Sequence, residues 1–159
     1  MFLTLAFWIQ MLAAVIGTIG FSLIFRVRTI HLPYVAFGGL LTYFVYYSLE
    51  QIGWNLFLIS FLGAVAGAVY SEFAARLRKA PVIVFVLPSM VPIIPGGSLY
   101  RTMNSLINED YGALYNNFGG TISIGLGMAG GIVAVSVVAA VAVSISESVK
   151  QKRKHTDIT

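Results

Sequence analysis

Long uncharged apolar stretches alternate along this chain with short polar breaks, most of them basic. Residues 2–25, 32–49, 54–70, 81–100 and 118–145 carry no Asp, Glu, Lys or Arg, and each is near or above the roughly 20 residues that span a bilayer as a helix. The stretch 54–70 is the shortest. A valine-rich run at 133–143 would suggest a strand in a soluble protein, but the length of the uncharged segment around it favours helix. The pattern predicts an all-α integral membrane protein with five transmembrane helices. It forms a single domain over residues 1–147, followed by a basic polar tail over 148–159 that is expected to be disordered and cytoplasmic.

The fourth stretch departs from the others. Pro88, Pro92 and Pro95-Gly96-Gly97 fall where a spanning helix should be regular. Each proline lacks an N–H and frees a carbonyl one turn earlier, at Val84, Pro88 and Val91. In lipid those groups need a partner from protein, water or ligand. Broken helices near mid-bilayer are where transporters tend to bind cargo. The fourth helix is therefore expected to be broken by prolines and to carry the site.

Composition agrees with this class: 58% of the 159 residues are hydrophobic and 10% are charged, too apolar for the surface of a soluble domain of this size. The first stretch has no basic residue before its apolar core, so it is expected to remain as a helix and not to be a cleaved signal peptide. With no cysteine in the chain, disulfides, thiolate metal sites and cysteine nucleophiles are excluded.

The basic residues orient the spans. Arg26 and Arg28 follow the first, Arg76, Arg78 and Lys79 the third, and Lys150, Lys152, Arg153 and Lys154 the fifth; Arg101 alone falls on the other side. Cytoplasmic loops collect Lys and Arg, so the N-terminus is expected outside and the C-terminus in the cytoplasm, with the fourth stretch crossing. The net charge of +4 reads as this topology signal, not as a nucleic-acid or anionic-lipid patch, because the groups are short and sit at helix ends. Between the fourth and fifth spans, residues 101–117 suggest an external amphipathic segment at the interface, anchored by Tyr100, Tyr111 and Tyr115.

Small residues mark packing faces. Gly120, Ser123, Gly127, Gly130 and Ala134 form a stripe that calls for a close helix neighbour, and Gly63 and Gly67 form a shorter one. Catalytic signatures are missing from the sequence: it has no His-Glu-x-x-His pair, nucleophile elbow, phosphate-binding glycine loop or cluster of metal ligands. No enzyme activity and no cofactor are expected. His31 and His155 read as interfacial histidines. The six acids, Glu50, Glu72, Glu109, Asp110, Glu147 and Asp157, all fall at span ends or in loops, although coupled transporters usually hold ionisable groups within the membrane. Gln10, deep in the first span, reads as an interhelical hydrogen-bond donor. Glu72 and Arg76 share a helix face in the favourable acid-first order; they read as a helix-end ion pair or as a gating and coupling pair at the inner mouth.

The stretch Glu72-Phe-Ala-Ala75-Arg76, then Pro81, Pro88 and Pro92-Ile-Ile-Pro95-Gly96-Gly97-Ser98-Leu99-Tyr100-Arg101-Thr102-Met103, resembles the signature region of the threonine/serine exporter family. Pro-Gly-x-x-x-Tyr-x-x-Met is its most specific part, and Gly20-Phe21-Ser-Leu-Ile-Phe25 followed by Gly38-Gly39 is a weaker match. The length and the five spans resemble the small subunit of the split form of that family. Ser89 and the doubled Gly96-Gly97 depart from its pattern.

The resemblance implies a membrane subunit of a two-component secondary exporter in the bacterial inner membrane. Its partner would be a larger membrane subunit of the same family. Its cargo would be a small carboxylate-bearing metabolite, threonine or serine or a dicarboxylate such as succinate, moved with the proton gradient. Ser89, Pro92, Pro95, Gly96, Gly97, Ser98 and Tyr100 are the expected cargo-binding residues. An anionic carboxylate would meet free N–H groups where helix resumes at Pro95 to Ser98. The alternatives are a non-catalytic assembly subunit or a small channel component, with the prolines only kinking a packed helix.

Overall fold

A computed structural model describes residues 5–156, with side chains described through residue 145. The described residues form six α-helices: α1 (Leu5–Ile24), α2 (Leu32–Ile52), α3 (Leu56–Arg78), α4 (Ile83–Met90), α5 (Gly96–Ile107) and α6 (Tyr111–Thr156). Single 3-10 turns at Thr29–His31 and Val91–Ile93 lead into α2 and out of α4. Among the described residues four helices are long and apolar enough to cross a membrane, or five if the bent pair Ile83–Ile93 and Gly96–Ile107 is one span.

Local chemistry sets the boundaries. The Asn55 side chain accepts a hydrogen bond from Phe57 N–H at 2.9 Å and so starts α3, and Asp110 Oδ1 accepts from Ala113 N–H at 3.0 Å at the start of α6, each satisfying a donor that the helix itself leaves free. Gly53 ends α2 in the left-handed region at φ 81°, where the absence of a Cβ removes the steric cost. Two sequence expectations are corrected here. Residues 101–117 are not one continuous segment: they are divided between the end of α5 and the start of α6, joined by a turn at residues 108–110. The tail after Glu147 is not disordered as far as Thr156, because α6 continues through it; residues 148–156 contain no Gly or Pro to stop a helix, and Lys, Gln and Arg are good helix formers.

Helix contacts define the direction of each span. Along α2 and α3, Gly38 meets Tyr70 and Gly63 meets Tyr46, so this pair is antiparallel. Along α3 and α6, Gly120 meets Leu56, Gly127 meets Phe57 and Ser60, and Gly131 meets Phe61 and Ala64, so numbering rises together and this pair is parallel. Because α4 begins beside the end of α3 and α6 begins beside its start, the bent segment between them runs the length of the bundle. A re-entrant loop would have returned the chain to the end of α3. At about 1.5 Å per residue, the 46 residues of α6 reach about 69 Å, more than twice the hydrocarbon thickness of a bilayer, so this helix projects beyond it.

The packed interior is built on α3. Ala64 and Ala68 join Val86, Met90 and Ile93 in one cluster, and Ala74 and Ala75 join Val35 and Phe85 in another. Within lipid such contacts hold by close van der Waals packing and not by expulsion of water, which is why small residues recur. The expected neighbour of the α6 stripe is α3 in the same chain. Gly127 and Gly131 make its closest approaches, to the Phe57 and Phe61 carbonyls, whereas a Cβ on Gly120 or Gly130 would meet only side chains, at 3.6 and 3.5 Å. Gly63 and Gly67 pack on α2.

Candidate functional site

The site candidate is the interruption between α4 and α5. Pro88 lies inside α4, the Val91–Ile93 turn follows, Ile94 is extended, and α5 starts after Pro95. The two helical pieces meet at 51°. Two of the three carbonyls freed by proline are satisfied without cargo: Pro88 O accepts from Val91 N–H, and Val91 O accepts from Ile94 N–H at 3.2 Å. Tightening to 3-10 geometry thus replaces the lost bonds locally. Toward α5 the chain stays open. The Leu99 N–H bond to Pro95 O, 2.9 Å long, is the first full α-helical bond, so the N–H groups of Gly97 and Ser98 precede it at the positive end of the helix.

The interruption lies near the middle of the bundle. Val91 and Pro92 share a recess of about 320 Å³ with Gln10, Ala13, Ala14, Gly17 and Tyr43, residues near the centres of α1 and α2. Gln10 is thus exposed beside this recess and not buried between helices, contrary to expectation.

The sequence-predicted residues separate into two environments. Ser89 is fully buried against Gly38, and its hydroxyl has no hydrogen-bond partner. Pro92 and Pro95 are half-buried. Gly96 and Gly97 are exposed; a Cβ on Gly96 would meet no atom within 4 Å. Ser98 is half-buried, and Tyr100 is 72% exposed. Ser89 therefore lies in packed interior, and Gly96, Gly97 and Tyr100 lie on an open face. Glu72 and Arg76 do meet, at 3.7 Å, with Arg76 largely exposed; exposed pairs of this kind contribute little to stability.

Sequence reasoning missed a set of buried hydroxyls. Thr18, Ser22, Thr42 and Ser71 are fully buried, and each donates to the carbonyl four residues earlier, at 2.6–2.9 Å. Thr18 lies against Gly39 and Thr42 against Gly67. Gly38-Gly39 is accordingly a packing feature that lets α1 and α4 approach α2. Small residues four positions before a hydroxyl, as in Gly38/Thr42 and Gly67/Ser71, were the available signal.

Residues 10–155 match the family described as Threonine/Serine exporter, ThrE. No solved structure matches the chain.

Proposed function

Since the chain belongs to the threonine/serine exporter family, we propose that it is one membrane subunit of a two-component secondary exporter, and that its bent segment supplies half of the cargo site. The family is one of transporters. The observation that carries the reading is the open face at the bend: Gly96 has no atom near its Cβ position and Tyr100 is 72% exposed, while the bend itself sits near mid-bundle. A second chain would cover that face and complete the site. The Gly97 and Ser98 N–H groups then receive a carboxylate of threonine, serine or a dicarboxylate such as succinate, Gly96 lets it approach the backbone, and Tyr100 closes the outer side with its hydroxyl.

Orientation follows the positive-inside bias, with the N-terminus outside and the C-terminus in the cytoplasm of a bacterial inner membrane. Coupling to the proton gradient is assigned mainly to the partner. Glu50 is exposed near the end of α2, Glu109 and Asp110 are exposed in the α5–α6 turn, and Glu72 pairs with Arg76 in the last two turns of α3, so none stands at the bend. Glu147 and Asp157 lie outside the residues whose side chains are described. Glu72 and Arg76 serve as a gate at the inner mouth.

Expression without the partner tests this reading. The protein should insert, label outside near Glu109 and inside after Lys154, and leave intracellular threonine, serine and dicarboxylate unchanged; adding the larger subunit should lower one of them. Full export in liposomes by this chain alone would overturn the two-chain reading.

A further inference from the structure

At the end of the bundle where α1 and α3 finish lies a cavity of about 700 Å³, lined on its polar side by Arg26, Arg28, His31, Arg78 and Lys79. Among the described residues no carboxylate lines it, and the Glu72–Arg76 pair stands apart from it. Topological bias explains why these loops are basic. It does not explain why two of them, some fifty residues apart in sequence, close around one cavity that no carboxylate among the described residues lines.

The local structure is built for this arrangement. His31 is 9% exposed, yet its Nδ1 has no hydrogen-bond partner, nor has the buried Nε of Arg78. Aromatic contacts hold both: the Arg78 guanidinium lies 5.0 Å from the Tyr34 ring centroid, and the imidazole packs edge-on against Phe85 at 5.4 Å. Helix dipoles do not neutralise the site. The C-termini of α1 and α3 and the N-termini of α2 and α4 meet here, so partial charges of about half a unit of each sign offset one another. Four full cations remain.

We propose that this cavity binds a phosphate-bearing anion. Arginines in a fixed cluster suit phosphate oxygens better than single charges do. The source favoured by the surroundings is an anionic phospholipid, because Phe25, Ile83 and Leu87 line the other side of the cavity and are about half exposed, which lets acyl chains lie against them while the headgroup meets the cations. Basic pockets between membrane helices take such headgroups. The inference rests on the cavity alone and is independent of the cargo site.

The test uses the full-length protein in nanodiscs of phosphatidylcholine with a minor fraction of phosphatidylglycerol, and native mass spectrometry to count retained lipid. The wild type should retain one phosphatidylglycerol in preference to phosphatidylcholine. Arg78→Gln, and separately the exposed-residue variant Arg28→Gln, should each reduce that retention about five- to tenfold, since each basic residue near the surface contributes substantially to such binding. Arg101→Gln, distant from the cavity, should leave it unchanged. In phosphatidylcholine alone, inorganic phosphate is titrated with melting temperature as readout. Saturable stabilisation that Arg28→Gln abolishes, without phosphatidylglycerol retention, would assign the site to free phosphate. Equal retention by all variants with no response to phosphate, or a response to succinate and not to phosphate, would overturn the proposal.

Discussion

The two halves of the bent segment, joined through Pro92 and Pro95-Gly96-Gly97, meet different surroundings. In α4, Phe85, Val86, Pro88, Ser89 and Met90 are buried. In α5 only Thr102 and Ser105 are buried, while Leu99, Met103, Leu106 and Ile107 are about half to three-quarters exposed. The first half is held by α2 and α3. The second leans on α6 through Thr102, 3.5 Å from Thr121, and Ser105, 3.2 Å from the Asn117 amide, and leaves its first turn open. The difference teaches that proline and glycine mark where a helix breaks, not what each side of the break does; α4 is a packing element, and α5 leaves one face open.

The largest effect should come from breaking the buried half. A Cβ at Gly38 would collide with Ser89 Oγ and come within 3.1 Å of the Tyr70 ring, so Gly38→Val should destabilise the protein by about 1–3 kcal/mol or more, read as loss of monodisperse protein in detergent and a lower melting temperature. Gly96→Val sharpens the contrast, because the same added side chain meets open space in this chain. Its melting temperature should stay within error of the wild type while export with the partner is lost. A fall in stability comparable to that of Gly38→Val would show that α5 is as tightly packed as α4.

Smaller effects separate the remaining residues. Tyr100→Phe should weaken export partially, by the roughly 0.5–1.5 kcal/mol of one hydrogen bond, seen as an increase in half-saturation at unchanged expression. Glu72→Gln should alter stability by less than about 0.5 kcal/mol, as an exposed i, i+4 pair does, and lower the export rate if the pair gates the inner mouth. An unchanged rate would reduce Glu72 and Arg76 to a helix-end pair.

The spans and the break were legible because apolar length and proline act locally along the chain. The five stretches correspond to α1, α2, α3, the bent α4–α5 pair and α6, although α3 runs on from Tyr70 to Arg78 because its last turns carry charged residues that hydropathy counts against a span. The buried hydroxyls were not legible: Thr18, Thr42 and Ser71 hide their polarity by bonding within their own helices. Gln10, the residue that polarity singled out, lies at the edge of a recess instead. The stripe on α6 predicted a neighbour, and its Gly120, Gly127 and Gly130 do face α3, but it left out Gly131, which with Gly127 meets the α3 backbone. The basic cavity depends on Arg26 and Arg28 meeting Arg78 and Lys79, a tertiary pairing that no local pattern encodes.

The absence of cysteine from the chain makes Gly96→Cys a clean reporter of the open face, and its thiol reactivity is the most direct measurement of whether a second chain completes the site. In membranes containing this subunit alone, a small membrane-permeant thiol reagent should label it readily. Co-expression with the larger subunit should slow labelling about tenfold or more, and saturating threonine, serine or succinate, whichever is cargo, should slow it further. Labelling at the same rate with the partner and with each candidate cargo would show that the open face at Gly96 is neither an interface nor part of a cargo site.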